Sequence, residues 1–220
     1  MPMIQLQALQ NKLSISTGDL PVSAIAEAKY AGMVAWDIET SGLNWKHDKI
    51  GVCQIYVPDV KVYVVRMNGI DAPRSNLISL LCDEAVCKIF HHAMFDLRFM
   101  VHHWSIEPRN VVCTKVASKI LNPLEKDHSL KRLLRQYLNV YLDKHVRVSN
   151  WLHDQLSTDQ VSYAANDVLY LPELFHKLHQ LLESCSRWDL AQESFHYLPV
   201  RVKLDLIGAE DVFKYSRRRL

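Results

Sequence analysis

Apolar residues fall in short unbroken runs along the first half of the chain and in helical stripes along the second. Met33 to Ile38 is one such run, closing on acids, and it predicts a buried strand with polar groups at its C-terminal end. Ser41-Gly42 interrupts the pattern. Gly51 to Val57 and Lys61 to Arg66 are rich in β-formers and are separated by Pro58-Asp59, which predicts a hairpin. Val86 to Phe90 predicts another buried strand. Helices are predicted over Pro73 to Cys82, Met94 to His103, Thr114 to Leu121 and Ser129 to Leu138, the last with Leu130, Leu133, Leu134 and Leu138 on one stripe. Thr158 to Ser184 predicts a long helix that Pro172 kinks or divides, whereas Phe195 to Leu220 is less regular. Strands first, helices later and alternation between them predict an α/β fold, a sheet flanked by helices.

Composition narrows the class. The 220 residues fit a single domain, and 49% apolar residues suffice for one core. A net charge of +2 excludes a bulk polycation, so a nucleic-acid partner would be met by a local basic surface or by bound metal. No apolar run approaches the length of a membrane span, and the polar stretch from Met1 to Asp19 lacks a secretory h-region, so the expectation is a cytoplasmic protein. Cys53, Cys82, Cys87, Cys113 and Cys185 are odd in number and show no Cys-x-x-Cys spacing, which reads as small buried thiols in a reducing compartment. Arg217-Arg218-Arg219 reads as a solvated end.

Three acidic patterns carry the chemistry. In Asp37-Ile38-Glu39-Thr40, residues two apart on a strand share a face, so two carboxylates converge at the end of a buried run. Such a pair repels unless something positive lies between, and oxygen-only ligation suits Mg2+ or Mn2+. In His91-His92-Ala93-Met94-Phe95-Asp96 a buried strand runs into a turn, and Asp96 occupies the first turn of the next helix. In Tyr163-Ala164-Ala165-Asn166-Asp167 the tyrosine and the acid are four apart on one helical face, with small residues between them that permit close packing. Each pattern alone is common. Together they offer four carboxylates from strand ends and helices, the donor set of a two-metal phosphoryl-transfer site. The His91/His92 and His102/His103 pairs do not form a closed set at zinc-ligand spacing.

In this order the motifs resemble those of the DEDD exonuclease superfamily, tyrosine subclass: Asp-x-Glu-Thr at Asp37 to Thr40, a His-rich strand end before Phe-Asp at His91 to Asp96, and Tyr-x-x-x-Asp at Tyr163 to Asp167. Ser162 stands where the sister subclass has histidine. Ser129-Leu130-Lys131-Arg132-Leu133-Leu134, Leu142-Asp143-Lys144, Ser149-Asn150-Trp151 and Leu156-Ser157 are similar to the ribonuclease D pattern, from about Gly18 to the end of the long helix. A narrower resemblance, to the nanoRNase C group, rests on Cys113 to Lys119 and on the tail Tyr197-Leu198-Pro199-Val200-Arg201 and Leu204 to Gly208.

The resemblance implies an RNase H-like mixed sheet flanked by helices, a single exonuclease domain with a core over about 18–185 and a tail over 186–220, and two divalent cations, Mg2+ or Mn2+. It also implies short RNA, above all dinucleotides, as substrate, with DNA as an alternative, and a homo-oligomer such as an octameric ring. Asp37, Glu39 and Asp167 would hold one cation, Asp37 and Asp96 a second, and Tyr163 would orient the attacking water, since a phenol is a poor base. Thr40, Leu43, His91, His92, Ser149 and Trp151 would meet substrate, Leu43 as a wedge between bases. His92 departs from the asparagine found in many members. For a 5' phosphate, Ser149, Trp151, Arg147 and Arg201 are candidates by residue type. The competing readings are trimming of longer RNA 3' ends, a DNA exonuclease, and an inactive scaffold. The last would be expected to lose an acid.

Overall fold

The computed structural model describes residues 13–67, 74–142, 149–209 and 211–214. Pro73, Asp143-Lys144, Arg147 and Arg217 to Arg219, all named above, lie outside the described residues. The elements in chain order are β1 (Leu13–Thr17), α1 (Val22–Ala31), β2 (Met33–Thr40), β3 (Ile50–Val57), β4 (Lys61–Arg66), α2 (Ser75–Cys82) and β5 (Cys87–Phe90). They continue with α3 (Ala93–Trp104), β6 (Val111–Cys113), α4 (Thr114–Leu121), α5 (Leu130–Leu138), α6 (Thr158–Leu169), α7 (Leu171–Ser184) and α8 (Trp188–Leu206). One six-stranded sheet has the order β1-β4-β3-β2-β5-β6. β2-β3 and β3-β4 are antiparallel, while β1-β4, β2-β5 and β5-β6 are parallel. This is the expected mixed sheet flanked by helices. Val34, Trp36, Ile55, Val64 and Phe90 on the central strands lie in its core.

Local signals explain the boundaries. Gly32, at φ 70°, ends α1 with its N–H on the Ala28 carbonyl (2.9 Å) and turns the chain directly into β2. Asp19 caps α2 from a distance: its carboxylate accepts from the N–H of Asn76 and of Leu77, each at 2.9 Å. Ser157 and Gln160 form a capping box at the start of α6. Pro172 divides the long predicted helix: α6 stops at Leu169, and the proline sits in the first turn of α7, where no N–H is needed.

The structure departs from expectation in several places. β2 runs beyond the predicted Ile38 to Thr40 and holds both Asp37 and Glu39 in the strand, as their spacing predicted. One strand and two helices supply the carboxylates, since Asp96 is on α3 and Asp167 on α6. The tail is regular as far as Leu206, because Ala191, Phe195, Leu198 and Val202 form a buried stripe along α8. Pro199 inside that helix masks the pattern. β1, α1 and β6 had no expectation. Only Cys53 and Cys113 are buried; Cys82 and Cys87 are partly buried and Cys185 is exposed, all as free thiols. Among the described residues no helix is long and apolar enough to cross a membrane.

Candidate active site

The site is built on an irregularity between β2 and β3. Glu39 pairs with Val52 and Thr40 with Ile50, so Gly51 is an extra residue on β3. Glycine is required there, because a Cβ would lie 2.4 Å from the Trp151 carbonyl oxygen. The bulge thus admits the backbone at Trp151 against the strand pair that carries Asp37 and Glu39. Trp151 is buried, with its ring 5.9 Å from that of Tyr163. Gln160 holds this segment to α6: its amide donates to Ser149 Oγ (2.7 Å) and to the Asn150 carbonyl (3.2 Å). Arg66 donates to the Asp154 carbonyl and to Thr17 Oγ1, fastening the segment farther along.

Asp37, Glu39 and Asp167 each direct an oxygen into a common space, with the three atoms within 4.8 Å of one another. Gln54, directly opposite Asp37 on β3, donates from Nε2 to Asp37 Oδ2 at 2.7 Å. Asp96 is buried behind them, accepting from the Ile38 N–H at 3.2 Å. Tyr163, also buried, reaches Asp167 with its hydroxyl.

The electrostatics follow from this crowding. Burial, followed by the charges of Asp96, Asp167 and Glu39, pushes the Asp37 carboxyl well above the usual range. Burial lifts Asp96 to about 7 against the opposing pull of backbone N–H donors. Burial and then the neighbouring carboxylates of Asp167, Glu39 and Asp37 drive the Tyr163 phenol upward, so it keeps its proton at neutral pH. An all-oxygen donor set in which like charges hold each other's protons fits hard divalent cations, whose presence would reverse the repulsion. Gln54 Oε1, buried without a partner beside Asp37, is a further polar group in this space.

A cleft of about 180 Å³ opens onto the carboxylates, lined by Asp37, His91, His92, Lys115, Ser129, Leu130 and Asp167. His91 Nδ1 lies 2.9 Å from Thr114 Oγ1. His92 stacks on Phe95 at the start of α3, with its ring pushed down to about 4 by desolvation and by the nearby Lys115, Arg98 and Lys119 charges. Leu43 stands out from its loop, 83% exposed. Thr40 braces that loop by donating to the Gly42 carbonyl (2.6 Å). Asp48 closes it, accepting from Ser41 Oγ (2.9 Å) and the Asn44 N–H (2.8 Å), and a side chain at Gly42 would collide with it. Neither Ser149 nor Trp151 lines the cleft, and Arg201 is paired with Asp205 at 2.7 Å. Sequence reasoning missed Gln54, Lys115, Ser129 and Leu130 as site residues. Gln54 had a signal, a single amide in the apolar run from Ile50 to Val57.

Residues 13–183 match the family model described as 3'-5' exonuclease. The chain belongs to this 3'-5' exonuclease family. Ribonuclease D of Haemophilus influenzae is 32% identical over 176 residues, covering 80% of this chain and 43% of that protein. The chain spans about half the length of the ribonuclease D relatives it matches. Among solved structures, Brucella melitensis NrnC superposes with a TM-score of 0.87 at 36% identity, covering 94% of this chain and 100% of that one. That protein has also been solved with bound Mg2+ and bound to pGG. Escherichia coli RNase D shares the fold at 21% identity, with a TM-score of 0.74 over 82% of this chain and 48% of that one. The family places the chain among exonucleases of RNase H-like fold that use divalent metals, and Asp37, Glu39 and Asp167 are grouped closely enough to hold such an ion.

Proposed function

We propose that this exonuclease removes nucleotides from the 3' ends of very short RNAs, dinucleotides above all, releasing nucleoside 5'-monophosphates. The observation that carries the reading is the convergence of Asp37, Glu39 and Asp167 within 4.8 Å beneath a protonated Tyr163, with Asp96 buried behind. The short-substrate part is supported by likeness over 93% of this chain to an NrnC solved with pGG and by the exposed Leu43.

In this reading Asp37, Glu39 and Asp167 hold one cation, and Asp37 with Asp96 supports a second. Bound divalent cations would supply charge stabilisation to the phosphate and its leaving oxygen and would make water more acidic. Tyr163, protonated at working pH, offers a hydrogen bond that orients water rather than a base that removes its proton. Gln54 fixes one Asp37 oxygen. Leu43 packs against a base without selecting among them. Lys115, with Lys119 one turn on along α4, offers positive charge to substrate phosphate, a role considered above for Arg147 and Arg201. The exposed Tyr30 and Ile207 are apolar surface consistent with a homo-oligomer, checked by native mass.

The test is a time course with 5'-labelled RNAs of two, three, seven and twenty nucleotides, with Mg2+ or Mn2+ and an Asp37→Ala control. Preferential cleavage of the dinucleotide, absent in the variant, is expected. Stepwise shortening of long RNA with the dinucleotide left intact would replace this reading with 3'-end trimming. No cleavage with either metal would leave the scaffold reading in front.

A further inference from the structure

The tail helix α8 enters no part of the chemistry described so far, yet it is tied to the helix that carries Asp96. Arg98 Nε donates to Asp205 Oδ2 at 2.6 Å, and Arg201 donates to Asp205 Oδ1 at 2.7 Å. Asp205 is only 11% exposed, and α8 packs along α3. One carboxylate in a half-buried setting thus holds two guanidiniums, one from each helix. Charge-assisted bonds of this kind are short, directional and costly to break on one side.

The placement of Arg98 gives the clamp its meaning. It follows Asp96 by two residues, which on an α-helix turns the side chain by about 200°. Asp96 therefore faces β2, where it accepts the Ile38 N–H, while Arg98 faces α8. α3 is held between these two contacts, and its rotation about its own axis decides where the Asp96 carboxylate lies relative to Asp37. A second tie, Lys203 to Glu107 at 2.6 Å, joins α8 to the loop after α3 but is about half exposed and worth little.

We propose that Asp205 is a positioning residue of the metal centre: through Arg98 it sets the rotation of α3 and so the seat of Asp96. This rests on the metal site described above. The motif around Asp205, of no evident use in a nuclease core, then has a role in the reaction.

The experiment is calorimetric Mg2+ binding to the full chain, alongside dinucleotide kinetics, for wild type, Asp205→Asn, Asp205→Glu, Lys203→Ala and Asp37→Ala. Asp205→Asn is expected to weaken Mg2+ binding about 5- to 10-fold and to lower kcat by a similar factor, with KM within about twofold. Asp205→Glu should recover part of both. Lys203→Ala, which loosens α8 at its exposed edge, should keep the wild-type isotherm. A wild-type isotherm in Asp205→Asn, with only a lowered melting temperature, would make the clamp purely structural and overturn the proposal; so would an equal loss in Lys203→Ala. If wild type and Asp37→Ala bind Mg2+ alike, the metal site itself has been misread, and the clamp proposal fails with it.

Discussion

Two segments meet at the same bulge in the sheet, and both were expected from sequence to touch substrate. The loop from Ser41 to Lys49 leaves Leu43 in water while Asp48 and Thr40 fix the backbone beneath it. The segment from Ser149 to Trp151 does the reverse: it spends its side chains inward, Ser149 on Gln160 and Trp151 on Tyr163. A motif thus conveys that a position is constrained, and burial separates side chains spent inside the protein from those left open to solvent.

Substitutions can break or sharpen that contrast. The largest effect is expected beneath both segments: Asp37→Ala should lower kcat by at least about 10³-fold. It should not unfold the protein, since it relieves a crowded set of carboxyls; activity and thermal melting measured together check this. Next comes Trp151→Ala, expected to cost about 3–5 kcal/mol of stability and, by freeing Tyr163, to reduce kcat more than it changes KM. An unchanged kcat with a raised KM would move Trp151 into the class of Leu43. Leu43→Ala should change stability by no more than about 0.5 kcal/mol while raising KM for dinucleotides about 10-fold; denaturant unfolding and steady-state kinetics separate the two.

The smallest expected effect is a matter of pH. Asp37 and Asp96 are both raised in the folded protein, Asp96 from 3.8 to about 7. A carboxyl raised on folding favours the native state at low pH, and that contribution is lost as pH climbs from near 4 through 7. The melting temperature of metal-free protein should carry this downward component over that window. Added Mg2+ should raise it more at pH 8 than at pH 5, because cation binding must displace fewer protons. An equal metal effect at both pH values would argue against protonated carboxyls in the site.

The grouping of the acids and the tyrosine was legible because it depends on local spacing: two residues apart on a strand for Asp37 and Glu39, four on a helix for Tyr163 and Asp167. The six-stranded order was not, since β1 and β6 are short edge strands whose partners are remote in sequence. α8 was hidden by Pro199, which a buried stripe overrides. Lys115 and Ser129 stand in stretches that carry the family resemblance, yet nothing in those stretches points to a cleft; only the packing of α4 and α5 brings them there. Gln54 was visible as an anomaly without a meaning until its register with Asp37 was known.

The cap on α2 bears on the order in which the chain folds. At eight residues α2 is too short to persist alone, and its first N–H groups are satisfied by Asp19, 57 residues earlier along the chain. A contact of that span carries the entropy of closing a long loop, so it is made late. α2 should then be among the last helices to gain protection from amide exchange during refolding. Disturbing Asp19 should act chiefly on the rate at which the native chain opens and leave the rate at which it collapses nearly untouched.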